Sequence, residues 1–390
     1  MMESAVASQP KESKRAACLE RRRQAVREEM RRSGLDLVIA YGSGAHTFLG
    51  SNPAWYLSGF KQMGPHAAVV LPADGEPLLI MTPLWDLARA AERSPIEDIV
   101  AVDPEEFVPA LDEELRKRDL KTKRIGVAGG QHQLRAISEG FAEMLGRPPT
   151  SADKLISDIA RIRDDWSLAC TRRAVGIAER GYERLLGMAR PGMQEYEVAA
   201  ELDVYMRELG AEDNFQLMSA SQHNRSVHQP TSRILARGDV LLAEITPAVE
   251  GEFIQICRTI VFGAPSALQH EKFAMLDDAL RAGLSAAQPG VPVSDVVAAI
   301  NKPIEAAGYA QFTRAPYMRT RGHSMALGSM DPEIAIDSGH VLRKNMVFVM
   351  HPNQYIPETG YMMCGEPVII TDDGAQPLTS RMGTLDSIAC

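Results

Sequence analysis

The chain is expected to fold as an α/β first domain followed by an α+β second domain. Three observations predict this. Short apolar runs alternate with helical stripes from about residue 35 to 144, and a turn-rich break, Gly146-Arg147-Pro148-Pro149-Thr150, follows. Beyond it, long apolar strands are segregated from helices. In 390 residues with 45% hydrophobic and 24% charged side chains, more than one globular domain fits and wholesale disorder is excluded. The expected division is a flexible leader over 1–17, a first domain over 18–150 and a second over 151–390.

The leader is polar and contains Glu3 and Glu12, which suits neither a secretion signal nor a transit peptide. Over 18–32, Leu19, Ala25, Val26 and Met30 are spaced for a helical stripe, with Arg21-Arg22-Arg23 expected on its solvated face. Strands are expected at 37–41, 67–71, 77–81, 98–102 and 124–127, and helices at 105–118 and 134–145. No GxGxxG or GxxxxGK[ST] opens these helices, and Gly129-Gly130 alone makes no phosphate loop, so the chemistry is expected elsewhere. In the second domain, 152–188 reads as one or two helices stopped by Pro191-Gly192, and 194–209 as another. Strands at 215–221, 239–247, 252–262, 346–352 and 362–371 enclose helices at 266–287 and 294–307.

Lys+Arg 42 against Asp+Glu 51 gives a net charge of −9, which lacks the phosphate attraction of nucleic-acid binders. No apolar run approaches the ~18 residues that span a bilayer. Cys18, Cys170, Cys257, Cys364 and Cys390 form no CxxC pair and read as the reduced thiols of a cytoplasmic protein.

Polar side chains inside the apolar strands are the candidates for chemistry, because burial penalises them unless they serve a site. Glu250-Gly251 marks a hairpin turn. Leu242, Glu244 and Thr246 share one face of the first strand; Gln255, Cys257 and Thr259 share one face of the next. Depending on the turn, Glu244 lies opposite Gln255 or Cys257. His351 ends an apolar face of one later strand, and Glu366 begins one on another. The cluster 319–324 sets His323 beside Gly322, with Arg321 expected to bind substrate. His228 lies in a polar, loop-like run after a strand.

Several of these segments are family motifs. Trp55-Tyr56-Leu57-Ser58-Gly59-Phe60 is similar to the YLTGF-type segment of creatinase/prolidase amino-terminal domains. Gly238-Asp239-Val240, Arg258-Thr259, Gly322-His323-Ser324 and the strand at 346–352 are similar to motifs of the pita-bread family of prolidases, X-Pro and methionine aminopeptidases and creatinases. The chain thus resembles this family over nearly its whole length. The resemblance implies a C-terminal pita-bread domain preceded by an α/β creatinase-type N-terminal domain.

The family's peptidases hold two metal ions with Asp, Asp, His, Glu and Glu. These positions fall on Glu244, Gln255, His323 and His351, and on Gly365 without a gap or Glu366 with a one-residue slip. A neutral Gln cannot serve as a bridging carboxylate, so no metal cofactor is expected. The metal-free creatinase branch places its catalytic histidine on His228 and one substrate-gripping carboxylate on Cys257. The activity this implies is hydrolysis of an amide or amidino C–N bond in a small amino-acid derivative. His228, Glu244, His323, His351 and Glu366 would be catalytic, with Gln255 and Cys257 binding substrate; Cys257 as nucleophile is a further option. Alternatives are one Zn, Mn or Fe ion on Glu244, His323, His351 and Glu366, serving a peptidase or lyase, or a non-catalytic binding protein. The second His of the peptidase pattern falls on Met330. The resemblance also implies a homodimer whose pocket is shared, with Lys61 and His66 as contributors, and neither nucleic acid nor membrane as partner.

Overall fold

The computed structural model describes residues 9–44, 52–130, 133–318, 320–325 and 332–390. They divide into two compact units, the first ending at Trp166 and the second beginning at Ser167.

In the first unit the elements are α1 (Gln9–Ser33), β1 (Leu37–Ser43), α2 (Pro53–Ser58), β2 (His66–Pro72), β3 (Leu78–Met81), α3 (Leu87–Arg93), β4 (Asp98–Ala101), α4 (Phe107–Lys117), β5 (Ile125–Ala128), α5 (Arg135–Leu145), β6 (Thr150–Ser151) and α6 (Asp153–Ala160). The six strands form one mixed sheet in the order β4-β3-β2-β1-β5-β6. Alternation along β1 explains the layers. Leu37, Ile39 and Tyr41 pack with Phe107, Leu111 and Phe141 of α4 and α5. Val38 and Ala40 face the other way, onto Val26 and Met30 of α1 and Leu155 and Ile156 of α6.

Three expectations need correction here. Helix α1 starts inside the expected flexible leader, because Lys, Glu, Arg and Ala are good helix formers that extend the buried turn at Cys18 and Leu19. Of the three arginines expected on its solvated face, Arg21 is exposed but Arg22 and Arg23 are buried. Arg22 bonds Asp164 (Nε–Oδ2 2.6 Å) and lies over the Tyr56 ring, while Arg23 donates to the Leu57 carbonyl at 2.9 Å. The unit also runs past the turn at 146–150, since α6 buries Leu155, Ile156 and Ala160 in the first core.

The second unit holds α7 (Asp165–Met188, its first turn at the boundary), α8 (Glu195–Glu208), β7 (Asp213–Ser221), β8 (Val240–Val249), β9 (Glu252–Phe253), β10 (Ile256–Phe262), α9 (Ala267–Ala286) and α10 (Val293–Ile304). Then come β11 (Gly322–Ser324), β12 (Val347–Met350), β13 (Gln354–Ile356), β14 (Gly360–Met362), β15 (Glu366–Thr371), β16 (Gly374–Pro377) and β17 (Asp386–Ile388). One sheet is ordered β17-β10-β8-β7, with β9 also on β8; a second is β11-β12-β15-β16. The two are joined where Cys257 and Gly365 exchange backbone hydrogen bonds at 3.1 and 3.2 Å. The polar residues singled out in the strands gather at this seam. Among the described residues, no helix is long and apolar enough to cross a membrane.

Candidate active site

The hairpin sets the first part of the site. Glu250 and Gly251 both take positive φ, 51° and 79°, the geometry of a tight two-residue hairpin turn. The register is thereby fixed, and Cys257 lies opposite Glu244. Gln255 reaches Glu244 diagonally, its Nε2 donating to Oε2 at 3.1 Å and to Thr246 Oγ1 at 3.3 Å. Its Oε1 lies 3.8 Å from the Cys257 thiol.

The seam supplies the second part. In the pairing of β12 with β15, Met350 opposes Glu366. An ideal Cβ at Gly365 would stand 2.8 Å from both Cys257 Sγ and His351 Cβ. Gly365, not Glu366, therefore faces the hairpin thiol and His351. The His351 ring meets that of His323 edge-on, with centroids 5.3 Å apart. His323 is held by β11 opposite Val349, and its Nδ1 contacts the Ser324 carbonyl at 3.1 Å.

Glu366 is a correction. Strand side chains alternate, so it points to the opposite face from Gly365. There it is fully buried against Arg258 (2.9 Å), accepting also from Thr379 Oγ1 at 2.6 Å and Gly383 N at 2.7 Å. That carboxylate anchors a strand and is not available to a substrate.

Burial sets the protonation of the others. It pushes the carboxyl of Glu244, a partly exposed residue, up to about 7. Burial and then neighbouring His323 push His351 down to about 3, so its imidazole is neutral, and its buried Nδ1 has no hydrogen-bond partner. The Cys257 thiol is pushed well above its usual range by burial and by Glu244, which makes it a poor nucleophile. Asn353 and Tyr361 belong to this cluster. The Asn353 amide opposes the rise at Cys257, and burial raises the Tyr361 hydroxyl, as does Glu244. Asn353 was missed in the sequence; its only signal is a polar residue just after an apolar strand.

His228 is exposed in the loop after β7, its Nδ1 bonded to the Gln229 carbonyl at 2.7 Å. Its backbone carbonyl is tied to Met218 N at 2.9 Å, one residue from Leu217, the β7 partner of Glu244. Arg321 is buried on the α10 side of this cluster, its Nε donating to Asn301 Oδ1 and its Nη1 to the Asn353 carbonyl. His66 lies inside the first core. Its Nδ1 takes part in a 3.0 Å hydrogen bond with Tyr41 and its ring packs on Phe107, which corrects its expected place at a pocket edge. Lys61 is half-buried, its Nζ over the Trp55 ring. Arg319 and Met330 lie outside the described residues.

The residues present do not fit a dinuclear metal centre. Gln255 presents an amide N–H to Glu244 where a bridging carboxylate is needed, and the space for a side chain at Gly365 is taken by Cys257. A single ion would have Glu244, His323 and His351 as donors. Among the described residues, however, no three His, Cys, Asp or Glu side chains converge to hold one.

A sheet seam carrying a carboxyl and paired imidazoles, in a unit that follows an α/β first unit along the chain, defines a pita-bread hydrolase of C–N bonds. Residues 169–372 match metallopeptidase family M24, and 22–157 match the creatinase/prolidase N-terminal domain. The chain belongs to family M24, hydrolases of C–N bonds. It is similar to an Xaa-Pro dipeptidase of Pyrococcus furiosus, 24% identical over 330 residues that cover 83% of this chain and 90% of that one. An Xaa-Pro dipeptidase of Pyrococcus horikoshii is also 24% identical, over 90% of this chain and 95% of its own. Among solved structures, dipeptidase PepE of Mycobacterium ulcerans superposes with a TM-score of 0.81 at 22% identity, covering 96% of this chain and 99% of that one.

Proposed function

We propose that this chain hydrolyses the C–N bond of a small amino-acid-derived amide, of dipeptide size, by acid/base catalysis without a pair of metal ions. The observation that carries the reading is the Glu244–Gln255 pair at the seam, beside the unpartnered Nδ1 of neutral His351. Glu244 takes a proton from water as its oxygen attacks the carbonyl carbon. The amide of Gln255 holds one carboxylate oxygen and leaves the other for that proton. His351, through its unpartnered ring nitrogen, donates a hydrogen bond to the oxygen on which negative charge develops, and His323, its Nδ1–H given to the Ser324 carbonyl, packs edge-on against the His351 ring. His228 donates Nδ1–H to the Gln229 carbonyl, and in its doubly protonated form Nε2–H is the acid that protonates the leaving nitrogen; the proton taken up by Glu244 then passes to solvent, and His228 is reprotonated from solvent. The C–N bond breaks, giving a carboxylic acid and an amine.

Cytoplasmic location, supported by five cysteines outside any disulfide, and the homodimer that the family resemblance implies are part of this reading. Lys61 is the candidate contribution to a pocket shared between subunits, and the dimer is tested by sedimentation and by loss of activity on dilution. Xaa-Pro dipeptides, named in two relatives, are the first substrates to assay, with N-acyl amino acids beside them. Turnover is expected to persist after dialysis against a chelator. It is expected to fall at least about a hundredfold in Glu244→Gln and in His228→Ala. Turnover that disappears with chelator and returns only with two metal equivalents overturns the proposal.

A further inference from the structure

Arg321 lines a cavity in the same unit, of about 590 Å³, whose lining includes none of Glu244, Gln255, His323 or His351. Arg321 as a residue is only 1% exposed. All its hydrogen bonds go to neutral acceptors: Nε to Asn301 Oδ1 at 2.7 Å, Nη1 to the Asn353 carbonyl at 3.0 Å and Nη2 to Gln354 Oε1 at 2.9 Å. Among the described residues no carboxylate forms an ion pair with it. A buried cation without a counter-charge is costly, and a guanidinium fork matches the two oxygens of a carboxylate as it does those of a phosphate. The lining carries both signs. Glu305 and Asp337 are exposed members of it, as is Arg314, while Met318 and Ile336 give an apolar wall. The volume falls within the range of small-molecule sites.

We propose that this cavity binds a small α-amino acid, its carboxylate on Arg321, its ammonium toward Glu305 and Asp337, and its side chain against Met318 and Ile336. The sign arrangement selects a zwitterion: a plain anion would meet the acidic groups unpaired, and an amine would meet Arg321. The cavity is distinct from the seam in its lining, which holds none of Glu244, Gln255, His323 or His351, although Arg321 also bonds the backbone of Asn353 and His351.

Isothermal titration of the full-length protein with L-leucine tests it, with N-acetyl-L-leucine as the probe lacking an ammonium. Saturable binding of L-leucine is expected, weakened at least about tenfold by removal of the ammonium or by Arg321→Gln. Because Arg321 is buried, its variant is accepted only if its circular dichroism melt is cooperative. Ala298→Trp, on the exposed side of α10 at the cavity wall, fills the space without touching the core and is expected to abolish binding. Glu244→Gln is expected to leave the affinity unchanged. No binding of L-leucine at millimolar concentration, binding that survives Ala298→Trp, or binding lost in Glu244→Gln overturns the proposal; the last would move the ligand to the seam.

Discussion

Glu244 and Glu366 are both carboxylates in apolar strands, and their partners give them different roles. Glu366 is saturated by Arg258, Thr379 and Gly383, so Glu366→Ala strands a buried guanidinium. We expect it to destabilise the second unit by about 3–5 kcal/mol, read as a lowered denaturant midpoint. Glu244→Gln keeps the shape and loses the proton acceptor, so the midpoint should hold while kcat/KM falls. His66 makes a pH prediction in the first unit. Burial lowers its imidazole below the usual 6.5, so the unfolded chain takes up a proton that the folded chain refuses. Its contribution to stability is present above 6.5 and is lost as the pH falls below that value toward the lowered one. Between about pH 7.5 and about pH 5.5 the wild type should therefore lose more stability than His66→Asn, by thermal melts at both.

At the scale of elements, the hairpin was legible and the seam only half so. Glu244, Gln255 and Cys257 stood out because each interrupts an apolar strand, and the turn residues narrowed the register to two choices. The last strand resisted reading because its side chains alternate with period two, so a one-residue uncertainty moves Glu366 from the site to the back of the sheet. Sequence spacing left Gly365 and Glu366 both open; the backbone pairing of Cys257 with Gly365 decides between them. The same pairing carries a prediction. A Cβ at Gly365 meets Cys257 Sγ at 2.8 Å and Cys257 Cβ at 2.9 Å, so Gly365→Ala should cost about 1–3 kcal/mol by overpacking. Cys257→Gly in the same chain should recover part of that loss in a double-mutant cycle. A Gly365→Ala protein as stable as the wild type would show that the strands part more easily than this packing implies.

For the whole molecule, the two-domain plan was readable because each unit follows one periodicity rule: alternating strands and helices in the first, long strands set apart from helices in the second. What escaped reading were features made by distant partners. The run Arg21-Arg22-Arg23 reads as a solvated face, but carbonyls and Asp164 far along the chain bury Arg22 and Arg23, leaving only Arg21 exposed. Helix α6 was assigned past the break because Pro148-Pro149 ends one pattern, whereas packing, not punctuation, decides which core a helix joins. The central claim is that this M24 chain keeps the family's fold and C–N hydrolase class while losing its dinuclear centre. The most direct test is elemental mass spectrometry of active protein purified without chelator or metal-affinity resin. The account predicts that stoichiometric metal pairs are absent from protein that still turns over its substrate. Two tightly held divalent ions per chain, with turnover proportional to their occupancy, would contradict it.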